Sequence, residues 1–159
     1  MQKMYLAVLP LRVLLVLLFL FLVLFQVLSL PGQFAHMAEE SPDLAYLRWP
    51  MTAISVIELL CVQIVIVCTW KLLGMVQEDR IFSDRSLVWV DAIVWTMAAA
   101  WTLLLGVLIF LGFRADDPGL PLLVTLLLLF GAVLGLLMVV MRALLRQATV
   151  LRTDMEAVI

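Results

Sequence analysis

Four polar side chains lie within or at the end of runs of residues that are otherwise apolar: Glu58, Gln63, Lys71 and Asp91. A charged group in hydrocarbon is costly, so intramembrane ionisable residues usually face a partner helix or a water-filled cavity. Such residues can line a proton or solute path, or they can hold helices together by hydrogen bonds. Steps of three and four place Glu58 on one side of a helix with Cys61 and Cys68, which predicts that this side faces other helices.

Asp91 and Lys71 lie at similar depth on consecutive antiparallel helices, which predicts an ion pair between them. Glu58 and Asp91 differ in depth by about 10 Å, which disfavours a two-carboxylate active site. The sequence contains no phosphate-binding loop, serine nucleophile elbow or zinc-binding helix motif. His36 is the only histidine, and no Cys or second His lies near it in the sequence. We therefore expect no catalytic residue, no metal and no cofactor.

Composition places these residues in a membrane protein. Of the 159 residues, 66% are hydrophobic and 14% are charged, whereas soluble domains are roughly half apolar and about 25% charged. Since about 20 apolar residues cross a bilayer as a helix, four runs predict membrane spans: residues 13–30, 51–70, 87–113 and 120–141. None alternates with period two, which excludes a transmembrane barrel. The fold class is an all-α membrane protein with one four-helix transmembrane domain.

The distribution of Lys and Arg predicts which side of the membrane each loop faces. Eight of the ten basic residues lie near the termini, in the loop 75–86 or, for Lys71, just before that loop, and only Arg48 and Arg114 lie on the other side. By the positive-inside rule, both termini and this loop are cytoplasmic. The loops 31–49 and 114–119 then face outward.

Residues 142–159 continue the fourth helix as an amphipathic tail. Leu144, Leu151 and Met155 share one stripe with Ala148 and Val158, and Arg142 and Arg146 lie opposite it. The tail could lie along lipid headgroups, with Arg142, Arg146 and Arg152 near anionic lipid. It could instead dock a cytoplasmic protein or dimerise. The sequence leaves both open.

Small residues recur every four positions in the last two spans: Ala98, Thr102 and Gly106 in the third, and Gly131 and Gly135 in the fourth. This spacing lets helix backbones approach closely, within one chain or between chains.

Two segments carry a resemblance to a known family. The loop EDRIFSDRSL and the tail RALLRQATVLRTDMEAVI are similar to the bacterial membrane-protein family called domain of unknown function 2975. Ile81, Phe82 and Ser83 match the loop, and residues 145–156 match the final helix. The resemblance implies a four-span protein of the bacterial inner (plasma) membrane with no assigned activity, and partnership with small helix-turn-helix regulators.

The function that we predict is an accessory or regulatory component that acts through protein contacts and is not an enzyme. Its partners are the lipid bilayer and a cytoplasmic regulatory protein or a larger membrane complex, and a homo-oligomer is left open. Direct nucleic-acid binding is not expected, because the basic residues are few and scattered.

The alternative is a small transporter or channel subunit in which Glu58 lines a proton or solute path. If the protein is an accessory component and not a transporter, Glu58 shares hydrogen bonds with groups such as Ser55, Thr102 or Thr125. Glu58→Leu would then weaken helix association by about 1 to 2 kcal/mol.

Overall fold

The computed structural model describes residues 2–114 and 116–158. These residues are 92% helical and contain no strand. The elements are α1 (Gln2–Leu24), a π-helical stretch (Phe25–Ser29), α2 (Leu30–Glu40), a 3-10 helix (Pro42–Leu47), α3 (Arg48–Gln77), α4 (Asp84–Gly112) and α5 (Gly119–Val158). Four helical segments are long and apolar enough to cross a membrane: Tyr5–Glu40, Ala45–Gln77, Asp84–Gly112 and Gly119–Val158. The predicted all-α fold class with four spans is confirmed.

The helix ends differ from the prediction most at the first span. The helix begins at Gln2 and not at residue 13, and the predicted loop 31–49 is helical throughout except at Ser41. Helix-forming residues such as Ala38, Glu39 and Glu40 explain why the chain stays helical there. The π-helical turn comes directly before Pro31, whose ring excludes the carbonyl oxygen four residues earlier.

The chain forms two compact units, residues up to 66 and residues from 67, with the boundary inside α3. In the first unit, the Gln26 side-chain amide in the π-helical stretch donates to the Val56 carbonyl oxygen at 3.2 Å. This bond joins the first span to α3.

In the second unit, α4 and α5 pack as an antiparallel pair. The Trp101 indole donates to the Leu128 carbonyl oxygen at 2.9 Å, and nearer the start of α4, Asp91 pairs with Arg142. A Cβ on Gly131 would lie 3.4 Å from Trp101 Cδ1, in van der Waals contact, so the indole lies against this part of α5. The buried residues on each helix lie on one side of it, as in helices that pack along most of their length: Ser86, Val90 and Ile93 on α4, and Val124, Leu128 and Thr149 on α5.

The remaining small residues are not used in this way. Ala98, Thr102 and Gly106 are exposed on α4, and a Cβ on Gly106 or Gly135 would meet nothing within 4 Å. Of the three glycines predicted for helix packing, only Gly131 has a side chain of another helix within 4 Å of the place that a Cβ would take.

Candidate functional site

The loop between α3 and α4 starts with a helix-ending motif. The Arg80 amide donates to the Met75 carbonyl oxygen at 2.8 Å, and the Asp79 amide to that of Val76 at 3.3 Å, the two bonds of a Schellman motif. Asp79 has φ 56°, a left-handed conformation that Asp tolerates better than most residues. The motif fixes the backbone conformation of Asp79.

Ser86 holds the rest of this loop against α4. It is fully buried, and its hydroxyl is shared between the Ser83 carbonyl oxygen, at 2.7 Å, and that of Ile81. The Ser83 hydroxyl donates to the Arg80 carbonyl oxygen at 2.7 Å. Local hydrogen bonds therefore give the Ile81–Phe82–Ser83 segment a defined conformation.

Arg152 joins the tail of α5 to this loop. Its Nη1 donates to the Asp79 carbonyl oxygen at 3.2 Å, and its Nη2 lies 3.6 Å from Asp79 Oδ2. The guanidinium carbon lies 6.0 Å from the centroid of the Phe82 ring, at the limit of a cation–π contact. Glu156, one turn later, adds a carboxylate 3.5 Å from Arg152 Nε. The loop and the tail form one structured site, which we call the loop–tail unit (residues 78–86 and 142–158).

Arg142 makes the second connection at the start of the tail. Its Nε donates to Asp91 Oδ1 on α4, and both side chains are more than half buried, with 37% and 38% exposed. Between the two arginines, Thr149 is buried and donates to the Leu145 carbonyl oxygen at 2.8 Å. The polar side of the tail therefore faces its own chain.

The opposite side of the tail is apolar and open. Leu144, Leu151, Met155 and Val158 are 54%, 64%, 68% and 87% exposed, and Ala148 between them is half-buried. We call these five residues the apolar stripe. An amphipathic helix of a globular protein normally turns its apolar side inward. In this tail the apolar side instead faces away from the rest of the chain.

The length of α5 determines where the loop–tail unit lies. Its 40 residues extend about 60 Å, twice the roughly 30 Å of a bilayer core. The residues before Arg142 are almost all apolar, and those after it include charged residues. The half of α5 that contains the apolar stripe therefore lies outside the hydrocarbon.

One prediction about charged residues is wrong. Asp91 pairs with Arg142 and not with Lys71, which is exposed. Arg142 and Arg152 form ion pairs inside the chain, and Arg146 is exposed. Binding of lipid or a partner by these three arginines stays a prediction.

The intramembrane polar residues of α3 lie on two sides of that helix. Glu58 is half-buried on the side of Cys61 and Cys68, which are buried, and Gln63 is 7% exposed on another side with Ile66. Glu58 Oε1 and Gln63 Nε2 are buried and have no hydrogen-bond partner among the described residues.

Two of the residues expected to bond Glu58, Thr102 and Thr125, have hydrogen bonds within their own helices. The hydroxyls of Thr102 and Thr125 donate instead to carbonyl oxygens of their own helices, Ala98 at 2.8 Å and Pro121 at 2.8 Å. Threonine in a helix can satisfy itself in this way, so it does not need a carboxyl partner.

Sequence reasoning missed Asp79, Phe82 and Ser86 as parts of a site, and Gln26 as a link between helices. Phe82 belongs to the loop segment that resembles the family, and this resemblance could have marked Phe82 as part of a site. Asp79 had none, because its role depends on the left-handed conformation at the end of α3 and on the register of α5.

The family model described as Protein of unknown function (DUF2975) matches residues 32–159. The chain belongs to this family. The part matched to DUF2975 begins after α1 and contains the whole loop–tail unit. No curated protein and no solved structure matches this chain.

Proposed function

We propose that this DUF2975 protein acts through protein contacts in the bacterial inner membrane, as an accessory or regulatory component, and does not catalyse a reaction. The observation that carries the proposal is the apolar stripe, which the described chain leaves open outside the hydrocarbon. Burying a Leu, Met or Val side chain contributes about 1.5 to 3 kcal/mol. Covering four side chains that are half exposed or more is therefore worth on the order of 4 kcal/mol.

The geometry of α5 favours a protein over the lipid surface as the cover. A helix that leaves a span and then lies along the headgroups must bend, and sharp bends occur at Pro, Gly or π-helical turns. No Pro or Gly follows Gly135, and α5 is continuous to Val158. The ion pairs of Arg142 and Arg152 also hold the tail beside α4 and the loop.

Affinity purification from native membranes tests this proposal. The variant Leu151→Glu with Met155→Glu should lose tail-dependent associated proteins at least about tenfold, because burying two unpaired carboxylates costs more than 1.4 kcal/mol. The matched control, Arg146→Glu with Thr153→Glu, places two carboxylates on the opposite side of the same helix and should keep them. The same associated proteins at the same yield in both variants would contradict the proposal.

Cytoplasmic termini are part of the proposal, supported by the excess of Lys and Arg on that side. In a variant without Cys61 and Cys68, a cysteine at Ser41 should react with a membrane-impermeant thiol reagent in intact cells. A cysteine at Thr153 should react only after the membrane is opened. Both native positions are exposed, so accessibility of the side chain does not limit either reaction. The reverse pattern would invert the orientation.

A small transporter or channel subunit is the second candidate, favoured by the buried Oε1 of Glu58 that has no hydrogen-bond partner in the described residues. Intramembrane carboxylates mark ion and proton pathways in transporters. Flux into proteoliposomes that disappears in Glu58→Gln would favour this function.

A further inference from the structure

The end of α5 is attached to the loop between α3 and α4 by one side chain. Thr149 is buried, and of residues 150–158 only Arg152 is not exposed. In the described part of the chain, each hydrogen bond or ion pair between this end and the loop uses the Arg152 guanidinium. Whether Arg152 stays bound to Asp79 therefore decides whether the end of α5 stays attached.

Arg152 is shared between two carboxylates that belong to different elements. Its Nη2 lies 3.6 Å from Asp79 Oδ2 in the loop, and its Nε lies 3.5 Å from Glu156 Oε1, one turn later on α5. Residues four apart on a helix remain neighbours when the helix moves. Separation from the loop would therefore remove the contacts of Arg152 with Asp79 and leave it a carboxylate on its own helix.

The attachment is of a kind that solvent weakens. The side chains of Asp79 and Glu156 are 81% and 69% exposed, and an exposed ion pair shifts an equilibrium by no more than about fivefold. The other contacts of Arg152 with the loop are the bond to the Asp79 carbonyl oxygen, at 3.2 Å, and the Phe82 ring, whose centroid is 6.0 Å away. The attached and separated arrangements therefore differ little in free energy.

The loop and the rest of α5 keep their structure when the end separates. The loop is held by its own bonds, including those of the Ser83 and Ser86 hydroxyls, and Arg142 stays paired with Asp91. Arg152 lies ten residues after Arg142, about 15 Å along the helix, so a bend of roughly 15° over this length moves it by about 4 Å. Gentle curvature of a long helix supplies such a bend without Pro or Gly.

We propose that Arg152 is an exchangeable latch, which joins the end of α5 to the loop through Asp79 and is taken over by Glu156 when the end separates. The two carboxylates then have opposite effects. Asp79 favours the attached arrangement, in which alone it contacts Arg152. Glu156 favours the separated arrangement, because in the attached one it shares the guanidinium with a second carboxylate that repels it. The inference goes beyond the proposed function, since it concerns a movement within one chain and needs no partner.

The reactivity of a cysteine at position 149 measures the separated fraction. Thr149 is buried. In a protein with Cys61 and Cys68 replaced by alanine, Thr149→Cys should therefore react with a water-soluble maleimide mainly in the separated arrangement. The rate then follows the equilibrium population of that arrangement. Thr153→Cys, at an exposed position of the same helix, gives the rate of an accessible thiol in the same purified protein.

Asp79→Asn should raise the rate at position 149 by up to about fivefold at low salt, because Asn tolerates the left-handed backbone but removes the charge. Glu156→Gln should lower the rate. In about 1 M salt, the protein with the cysteine alone should react as fast as Asp79→Asn, since salt screens an exposed pair. Asp154→Asn is the matched control: it removes a charge from an exposed residue of the tail and should leave the rate unchanged.

Equal rates for Asp79→Asn and Asp154→Asn at low salt would overturn the latch. Faster reaction in Glu156→Gln would overturn the exchange, because Glu156 would then help to attach the end of α5. Asp79→Gly also accepts a φ of 56° and lacks the charge, so it must react as fast as Asp79→Asn, and a rate no higher than that of the cysteine protein alone would contradict the latch. The associated proteins are measured independently, so failure of the latch leaves the proposed function standing.

Discussion

Arg142→Asp is expected to lower the thermal midpoint of the protein in detergent. The substitution places two carboxylates where the structure has the Asp91–Arg142 ion pair between α4 and α5. Since both side chains are partly exposed, at 38% and 37%, solvent weakens this pair relative to a fully buried one. The midpoint should still fall further than for the same substitution at an exposed arginine.

Exchange of the two charges provides the decisive control. Asp91→Arg combined with Arg142→Asp should recover most of the lost stability, since the pair is restored with its ends exchanged. Arg146→Asp changes the same charge at an exposed position one turn away and should shift stability by less than about 0.5 kcal/mol. Equal midpoints for Arg142→Asp and Arg146→Asp would show that the pair does not hold α5 to α4.

Hydropathy predicted the four spans because a bilayer leaves the backbone few options. A chain in hydrocarbon must satisfy its own hydrogen bonds, so a long apolar run is helical whatever it contacts. The same rule does not apply at the ends of the spans. Residues 32–40 are polar enough to leave the hydrocarbon, yet they remain helical in α2. Composition therefore could not separate a helical extension from a loop.

The ion pairs could not be predicted from composition. Counting residues along two helices gives the depth of each residue in the membrane. On that basis Lys71 was a reasonable partner for Asp91. The actual partner, Arg142, lies 51 positions away in the sequence, and its selection follows from the register of α5 against α4. The inward polar side of the tail could not be predicted either, since an amphipathic pattern does not say which side faces the chain.

Glu58→Leu is expected to raise the stability of the protein by about 1 to 3 kcal/mol, the cost of a buried polar atom without a partner. This reverses the expectation from the sequence, which assumed hydrogen bonds to Ser55, Thr102 or Thr125. Glu58 Oε1 is buried and forms none with the described residues, so the substitution removes a desolvated oxygen and breaks no bond. Glu58→Gln should change stability little, because the amide is equally unpartnered.

Gln26→Leu is the matched control for Glu58→Leu, because the Gln26 amide does have a partner, the Val56 carbonyl oxygen at 3.2 Å. Its loss should lower stability by roughly 0.6 kcal/mol, the average for a hydrogen bond between membrane helices. Opposite shifts of the two thermal midpoints would support an unsatisfied Glu58. If Glu58→Leu also lowers the midpoint, the carboxyl group has a stabilising partner. A buried oxygen of Glu58 without a partner would then no longer favour the transporter. Its remaining support would be a proton or solute flux that Glu58→Gln abolishes.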